Sequence, residues 1–77
     1  MHELPSLLHT LGANIRAGRR SKSLTQQELG DEAGLHRTYI ADVERGARNL
    51  SVGSIARIAK ALGVSISDLC QGIEARG

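Results

Sequence analysis

The stretch Thr25–Arg45, TQQELGDEAGLHRTYIADVER, decides how this chain folds. Thr25 followed three residues later by Glu28 is a capping box: the hydroxyl accepts an orphan N–H at a helix start while the carboxylate reaches back to the backbone of the cap. A helix is therefore predicted to begin at Gln26. Leu29 and Ala33, at i and i+4, give that helix one apolar edge, and Gly34 supplies the backbone freedom to leave it. A turn over Gly34 to His36 follows. Ile40 and Val43, at i and i+3, give the next helix an inward face, which leaves Arg37, Thr38 and Asp42 pointing outward.

Two helices joined by a short turn containing Gly, each too short to stand alone, are what a helix-turn-helix unit requires. The first helix must approach the second so closely that one position is nearly free of side chain, and Gly30 sits there. Through Gln26, Leu29, Gly30, Ala33, Gly34, Leu35, Ile40 and Val43 the chain resembles the lambda-repressor and Cro-like (XRE-type) helix-turn-helix transcriptional regulators. The likeness runs over about residues 11 to 70, since Arg19, Glu44 and the closing ALGVSISDL also match. It implies an all-α, compact five-helix DNA-binding domain with the helix-turn-helix as second and third helices. It also implies a salt bridge between Arg19 and Glu44, buried between the first and third helices, and dimerisation through Ile66, Leu69 and Ile73. Simple core packing is the other reading of those three residues. Ser23 departs from the family, which commonly has Gly where the first helix ends; a Ser in a left-handed turn is strained.

Seventy-seven residues suit one domain, and no second is expected. Apolar residues make up 40% of the chain but Tyr39 is its one aromatic, so the core must be built from Leu, Ile, Val and Ala. A chain this short buries only about 60% of its unfolded surface, which makes partner contact a source of extra stability. The net charge of +2 and a pI near 9.2 are mildly basic. Their distribution says more: Arg16, Arg19, Arg20 and Lys22 cluster with no acid among them, and Arg37, Arg45 and Arg48 follow. Against the single Cys70 no intramolecular disulfide is possible, and a reducing compartment with Cys70 as a small apolar filler is expected. No signal peptide and no membrane-length apolar run is seen, so a cytoplasmic location is expected.

Along the chain, Met1 to Pro5 is expected to be a loose extension, because Pro5 permits a helix start but not continuation from before it. Ser6 can cap a first helix to about Ser21 with Leu7, Leu8, Leu11 and Ile15 as its stripe, weakened at Gly12 and Gly18 if these are exposed. Ser51 is a cap for a fourth helix through Leu62, in which Ile55, Ile58, Ala59 and Leu62 repeat at i, i+3, i+4, i+7. Ser65 with Asp68 starts a fifth helix through about Gly72. The segment 66–77 is the expected dimerisation region. His2 and His9 have no ligand partners at metal spacing, and neither a metal, a cofactor nor a small-molecule ligand is expected.

A helix fits the major groove with the residues at its start on the base edges and the preceding helix across the backbone. Arg37 and Thr38 are thus the main candidates for reading bases; an arginine fork can donate two bonds to guanine O6 and N7. Tyr39 packs on a sugar or a thymine methyl in one reading and covers the turn in the other. Arg48 is a further candidate to reach a base. Gln26 and Gln27 at the opening of the first helix of the unit, His36 at the cap of the second, and Arg45 and Asn49 in the following loop are candidates for the phosphate backbone, with His36 read first as a helix cap.

An enzyme is disfavoured: no glycine loop cradles a phosphate, no nucleophile has a base nearby, and adjacent Asp31 and Glu32 face different ways on a helix. The expected partners are double-stranded DNA and a second copy of the chain, with no membrane. The run LHRTYIADVERGARNLS looks most like the controller proteins of restriction–modification systems, small dimers that regulate their own operon on an inverted-repeat operator. Length agrees, since no ligand-sensing domain would fit. The other class is an antitoxin, or another small autoregulating repressor, whose closing helix binds a protein partner.

Overall fold

In the computed structural model, which describes residues 3–73, the chain forms α1 (Glu3–Ser21), α2 (Gln26–Ala33), α3 (Arg37–Glu44), α4 (Val52–Leu62) and α5 (Ile66–Leu69). The described residues contain no strand, so the fold is all-α. α2 packs on both α3 and α4, α1 lies across α3, and α5 closes the base against α4 and α1. The core at their meeting point is aliphatic: Ile15, Leu29, Ile40 and Ile58 are fully buried, joined by Leu11, Val43, Leu62 and Leu69.

Each helix start has a local cause. The Thr25 hydroxyl accepts from the Glu28 N–H at 3.0 Å while the Thr25 N–H donates to Glu28 Oε1 at 2.8 Å, completing the capping box. Ser51 caps α4 and the Ser65–Asp68 pair boxes α5 in the same way. Gly34 ends α2 in the left-handed region at φ 72°, as the turn demands. Ser23, at φ 57°, is the one non-glycine among the described residues with positive φ. The strain expected there is present, and the backbone after α1 is held by Leu24 N–H donating to the Arg19 carbonyl at 3.0 Å.

Three expectations need correction. α1 starts at Glu3, so Ser6 lies inside the helix rather than capping it, and Pro5 is its third residue. That is compatible with proline because the first-turn N–H groups have no intrahelical partner, so the missing donor loses nothing. The loose extension at 1–5 thus fails for 3–5, and Met1 and His2 lie outside the described residues. Gly12 is buried rather than a weak exposed spot: a Cβ there would strike the Val43 carbonyl oxygen and lie 2.8 Å from that of Glu44. The third correction is the end of α5, which stops at Leu69 and not Gly72. The backbone leaves the helix there, Cys70 at φ −96°, ψ 12° and Gly72 in the left-handed region at φ 84°, and Asn14 of α1 holds this turn, its side-chain amide donating to the carbonyls of Leu69 and Gln71, both at 2.8 Å. Carbonyls at a helix end lack intrahelical donors, and here a neighbouring helix supplies them.

Candidate nucleic-acid interface

The site is built on one buried ion pair. Arg19 Nε donates to Glu44 Oε2 at 2.6 Å and its Nη2 to Glu44 Oε1 at 3.0 Å, while Nη1 donates to the Leu24 carbonyl at 2.7 Å. The side chains are only 11% and 3% exposed. This fork-to-fork geometry ties the end of α1 to the end of α3, and hydrogen bonding to Glu44 raises the already high pKa of Arg19 against the opposing effect of burial. Gln26 joins the cluster through Nε2, which donates to Glu44 Oε1 at 3.1 Å. The start of α2 and both ends of the α1–α3 contact are therefore locked together, and no buried side-chain polar atom among the described residues lacks a partner.

Within the helix-turn-helix, a Cβ on Gly30 would lie 2.5 Å from the Leu35 carbonyl oxygen, a gap no side chain fits. α2 can therefore lie directly against the turn, and that contact sets where α3 begins. His36 caps α3: its Nδ1 accepts from the Thr38 N–H at 3.0 Å. Capping was the first reading of this residue. Arg57 of α4 adds a brace that sequence reasoning missed, its Nη1 donating to the Gly34 carbonyl at 3.4 Å. Nothing in the local sequence links two residues 23 apart.

α3 buries Ile40, Val43 and Glu44, so the spacing places Thr38, Asp42 and Arg45 at i, i+4, i+7 along the opposite side, flanked by Arg37. Arg37 and Thr38 are both exposed, and among the described residues no hydrogen bond or ion pair holds the Arg37 side chain. Tyr39 is half-buried and packed against the core, with the Arg48 guanidinium carbon 4.7 Å from its ring centroid. The ring of Tyr39 thus carries an arginine. Arg45 pairs with Asp42 Oδ1, and Arg48 Nη1 lies 3.8 Å from Asp42 Oδ2. The loop after α3 is thereby drawn onto α3, and exposed Asn49 sits beyond it.

On the other expected residues the structure divides. Gln27 is exposed on α2 and donates from Nε2 to Asp31 Oδ1 at 2.9 Å, one turn along. Gln26 keeps one amide N–H beyond the one given to Glu44, which leaves it a single donor for an external acceptor. Among the three residues expected at a dimer interface, Leu69 is 3% exposed and belongs to the core, so that part of the expectation is corrected. A short amphipathic helix must spend its deepest residue on its own domain. Ile66 is 42% exposed and Ile73 half-buried against the core. Cys70 is a free, half-buried thiol packed on the core, the filler it was read to be.

Comparison with known proteins agrees with this architecture. The family described as helix-turn-helix matches over residues 15–69. The control protein C.BamHI of Bacillus amyloliquefaciens is 52% identical over 59 residues, covering 75% of this chain and 73% of that protein. The control protein C.SmaI of Serratia marcescens is 42% identical over 59 residues, covering 77% of this chain and 70% of its own. Among solved structures, the restriction–modification controller protein C.AhdI of Aeromonas hydrophila superposes with a TM-score of 0.79 at 39% identity, over 80% of this chain and 94% of that one.

Proposed function

The chain belongs to the helix-turn-helix family of DNA-binding transcriptional regulators, proteins that bind rather than catalyse, and from that premise we propose that it is a controller of a restriction–modification operon, binding an inverted-repeat operator as a homodimer. The observation that carries the DNA-reading part is the start of α3: Arg37 and Thr38 stand exposed at its first turn, on a helix whose position is fixed by Gly30 and by the Arg19–Glu44–Gln26 cluster. Such a helix enters a major groove N-terminus first. Arg37 then donates bidentately to a guanine, and Thr38 meets a neighbouring base edge. Arg48, held over Tyr39, lies at the groove edge; Arg45, Asn49, Gln26, Gln27 and the N-terminal backbone of α2 and of α3 beside His36 contact phosphates, which set register without reading sequence.

Homodimerisation is supported by the apolar surface at the closing end. Ile66 is exposed on α5 and Ile73, seven residues further on, is half-buried against the core, while the small aliphatic core leaves the domain with little stability to spare. A symmetric pair puts two α3 helices on successive major grooves, so half-site centres fall about one helical turn apart. The controller role is supported by the similarity to C.BamHI, C.SmaI and C.AhdI, which are control proteins by name and which this chain matches over most of their length.

Selecting bound duplexes from a random DNA pool tests the proposal. The expected outcome is a palindromic consensus with a guanine in each half-site that Arg37→Ala no longer requires. An unenriched pool, or a consensus without twofold symmetry, would overturn the dimeric operator reading.

A further inference from the structure

Asp42 is a carboxylate in the middle of the surface that the proposed function turns toward DNA. It lies between Thr38 and Arg45 on the side of α3 opposite Ile40 and Val43, where a negative charge faces a phosphate backbone of the same sign. Its side chain is a quarter exposed, and both oxygens are used: Oδ1 pairs with Arg45, and Oδ2 lies 3.8 Å from Arg48, whose guanidinium also stands on Tyr39. The backbone repeats the tie, since the Ala47 N–H donates to the Asp42 carbonyl at 2.9 Å. The other carboxylate at this end of α3, Glu44, is buried and committed to Arg19, so Asp42 is the acidic group that the loop arginines meet.

We propose that Asp42 is a specificity-determining positioning residue, whose carboxylate holds Arg45 and Arg48 against α3 in competition with DNA phosphates. The inference rests on the proposed docking of α3. A phosphate anywhere on a duplex offers these arginines only an exchange of one anion for another, and it brings its own charge against Asp42. A correct operator offers more, because Arg48 released from Asp42 at the groove edge gains a base contact that arbitrary sequence lacks. The carboxylate therefore lowers affinity for all DNA but lowers it most for the wrong DNA. Tyr39 keeps Arg48 near its working position in both states.

The test measures affinity of the full chain for its selected duplex and for a scrambled duplex of equal composition across a salt series, comparing Asp42→Asn, Asp42→Glu and Arg37→Ala. Asp42→Asn keeps the shape and removes the charge. It should tighten scrambled-duplex binding, steepen its salt slope by about one phosphate contact's worth, and reduce the specificity ratio roughly tenfold, comparable to one mismatched base pair. Asp42→Glu should restore most of the ratio, because the charge returns. An Asp42→Asn protein with unchanged slope and ratio, beside an Arg37→Ala protein that does lose specificity, overturns the role of Asp42 and leaves the docking standing. If Arg37→Ala also keeps full specificity, the docking fails and the inference with it. Thermal unfolding of each variant checks that the fold is intact.

Discussion

Glu44 and Asp42 lie two residues apart on α3, yet the first is 3% exposed against Arg19 while the second is a quarter exposed between Arg45 and Arg48. Both are arginine–carboxylate clusters and their chemistry is the same. Their solvent is not. In the buried cluster each charge would be costly alone, so the partners are mutually obligatory, and the Leu24 carbonyl and the Gln26 amide add hydrogen bonds to the pair. In the exposed cluster water and salt can replace either partner, so the pairing is weak and exchangeable. One helix thereby carries a structural anchor on its inner side and an adjustable ion group on its outer side, which lets a domain of this size hold a reading helix still while its arginines remain free to trade partners.

The largest expected effect is on the buried side. Glu44→Ala strands the Arg19 guanidinium and should lower unfolding free energy by about 3 to 5 kcal/mol, enough to leave much of so small a domain unfolded in a denaturant titration. A loss under about 1 kcal/mol would erase the contrast between the clusters. Next is the packing that buries Glu44. Gly12→Ala forces a Cβ against the carbonyls of Val43 and Glu44, which as backbone cannot rotate away. The cost of about 1 to 3 kcal/mol should exceed the helix propensity that alanine adds, of up to about 1 kcal/mol. Gly53→Ala at an exposed position of α4, where the nearest atom to the new Cβ is 3.8 Å away, is the control and should not destabilise, gaining up to about 1 kcal/mol from helix propensity.

Smaller still is the exposed side. Arg45→Ala should change stability by less than about 1 kcal/mol while reducing the salt slope of DNA binding by about one. Equal losses of stability for Arg45→Ala and Glu44→Ala would show that exposure does not separate the clusters. The smallest effect concerns Asp68, whose carboxyl is held below its usual value of 3.8 first by the Ser65 backbone N–H and then by the Ser65 hydroxyl. A depressed folded-state value means that the stabilisation is complete above 3.8 and is lost as pH falls through the lower folded value. Acid unfolding of Asp68→Asn should therefore be slightly flatter in that range than that of the parent, and an identical acid limb would remove Asp68 as a contributor.

The inner side of α3 was legible in the sequence and the outer side only partly. Capping boxes at Thr25 and Ser65, the cap at Ser51 and the glycine at 34 are local signals, so the starts of α2, α4 and α5 and the stop of α2 could be placed from neighbours alone. The Arg19–Glu44 pair has no local signal across 25 residues and came from resemblance, as did the fold around it. What escaped were contacts between elements. Gly12 looked like a weak point because the α3 carbonyls it meets cannot be seen from α1, and the bond of Asn14 to the end of α5 acts across 55 residues. For Leu69 the resemblance implied an interface and core packing was the other reading, since amphipathic spacing shows that a face is apolar but not which neighbour covers it. On the outer side, exposure of Arg37 and Thr38 followed from helical periodicity. The placement of Arg45 and Arg48 against Asp42, with Arg48 also on Tyr39, did not, because a loop's course is set by tertiary contacts.

The reading of DNA by the start of α3 is tested most directly by titrating Arg37→Ala against the selected duplex and against duplexes altered at single positions. The account predicts an unchanged melting temperature, a loss of about 1 to 3 kcal/mol on the selected duplex, and indifference at one base pair per half-site where the parent demands guanine. A variant that binds as tightly and discriminates at every position as the parent does would contradict it.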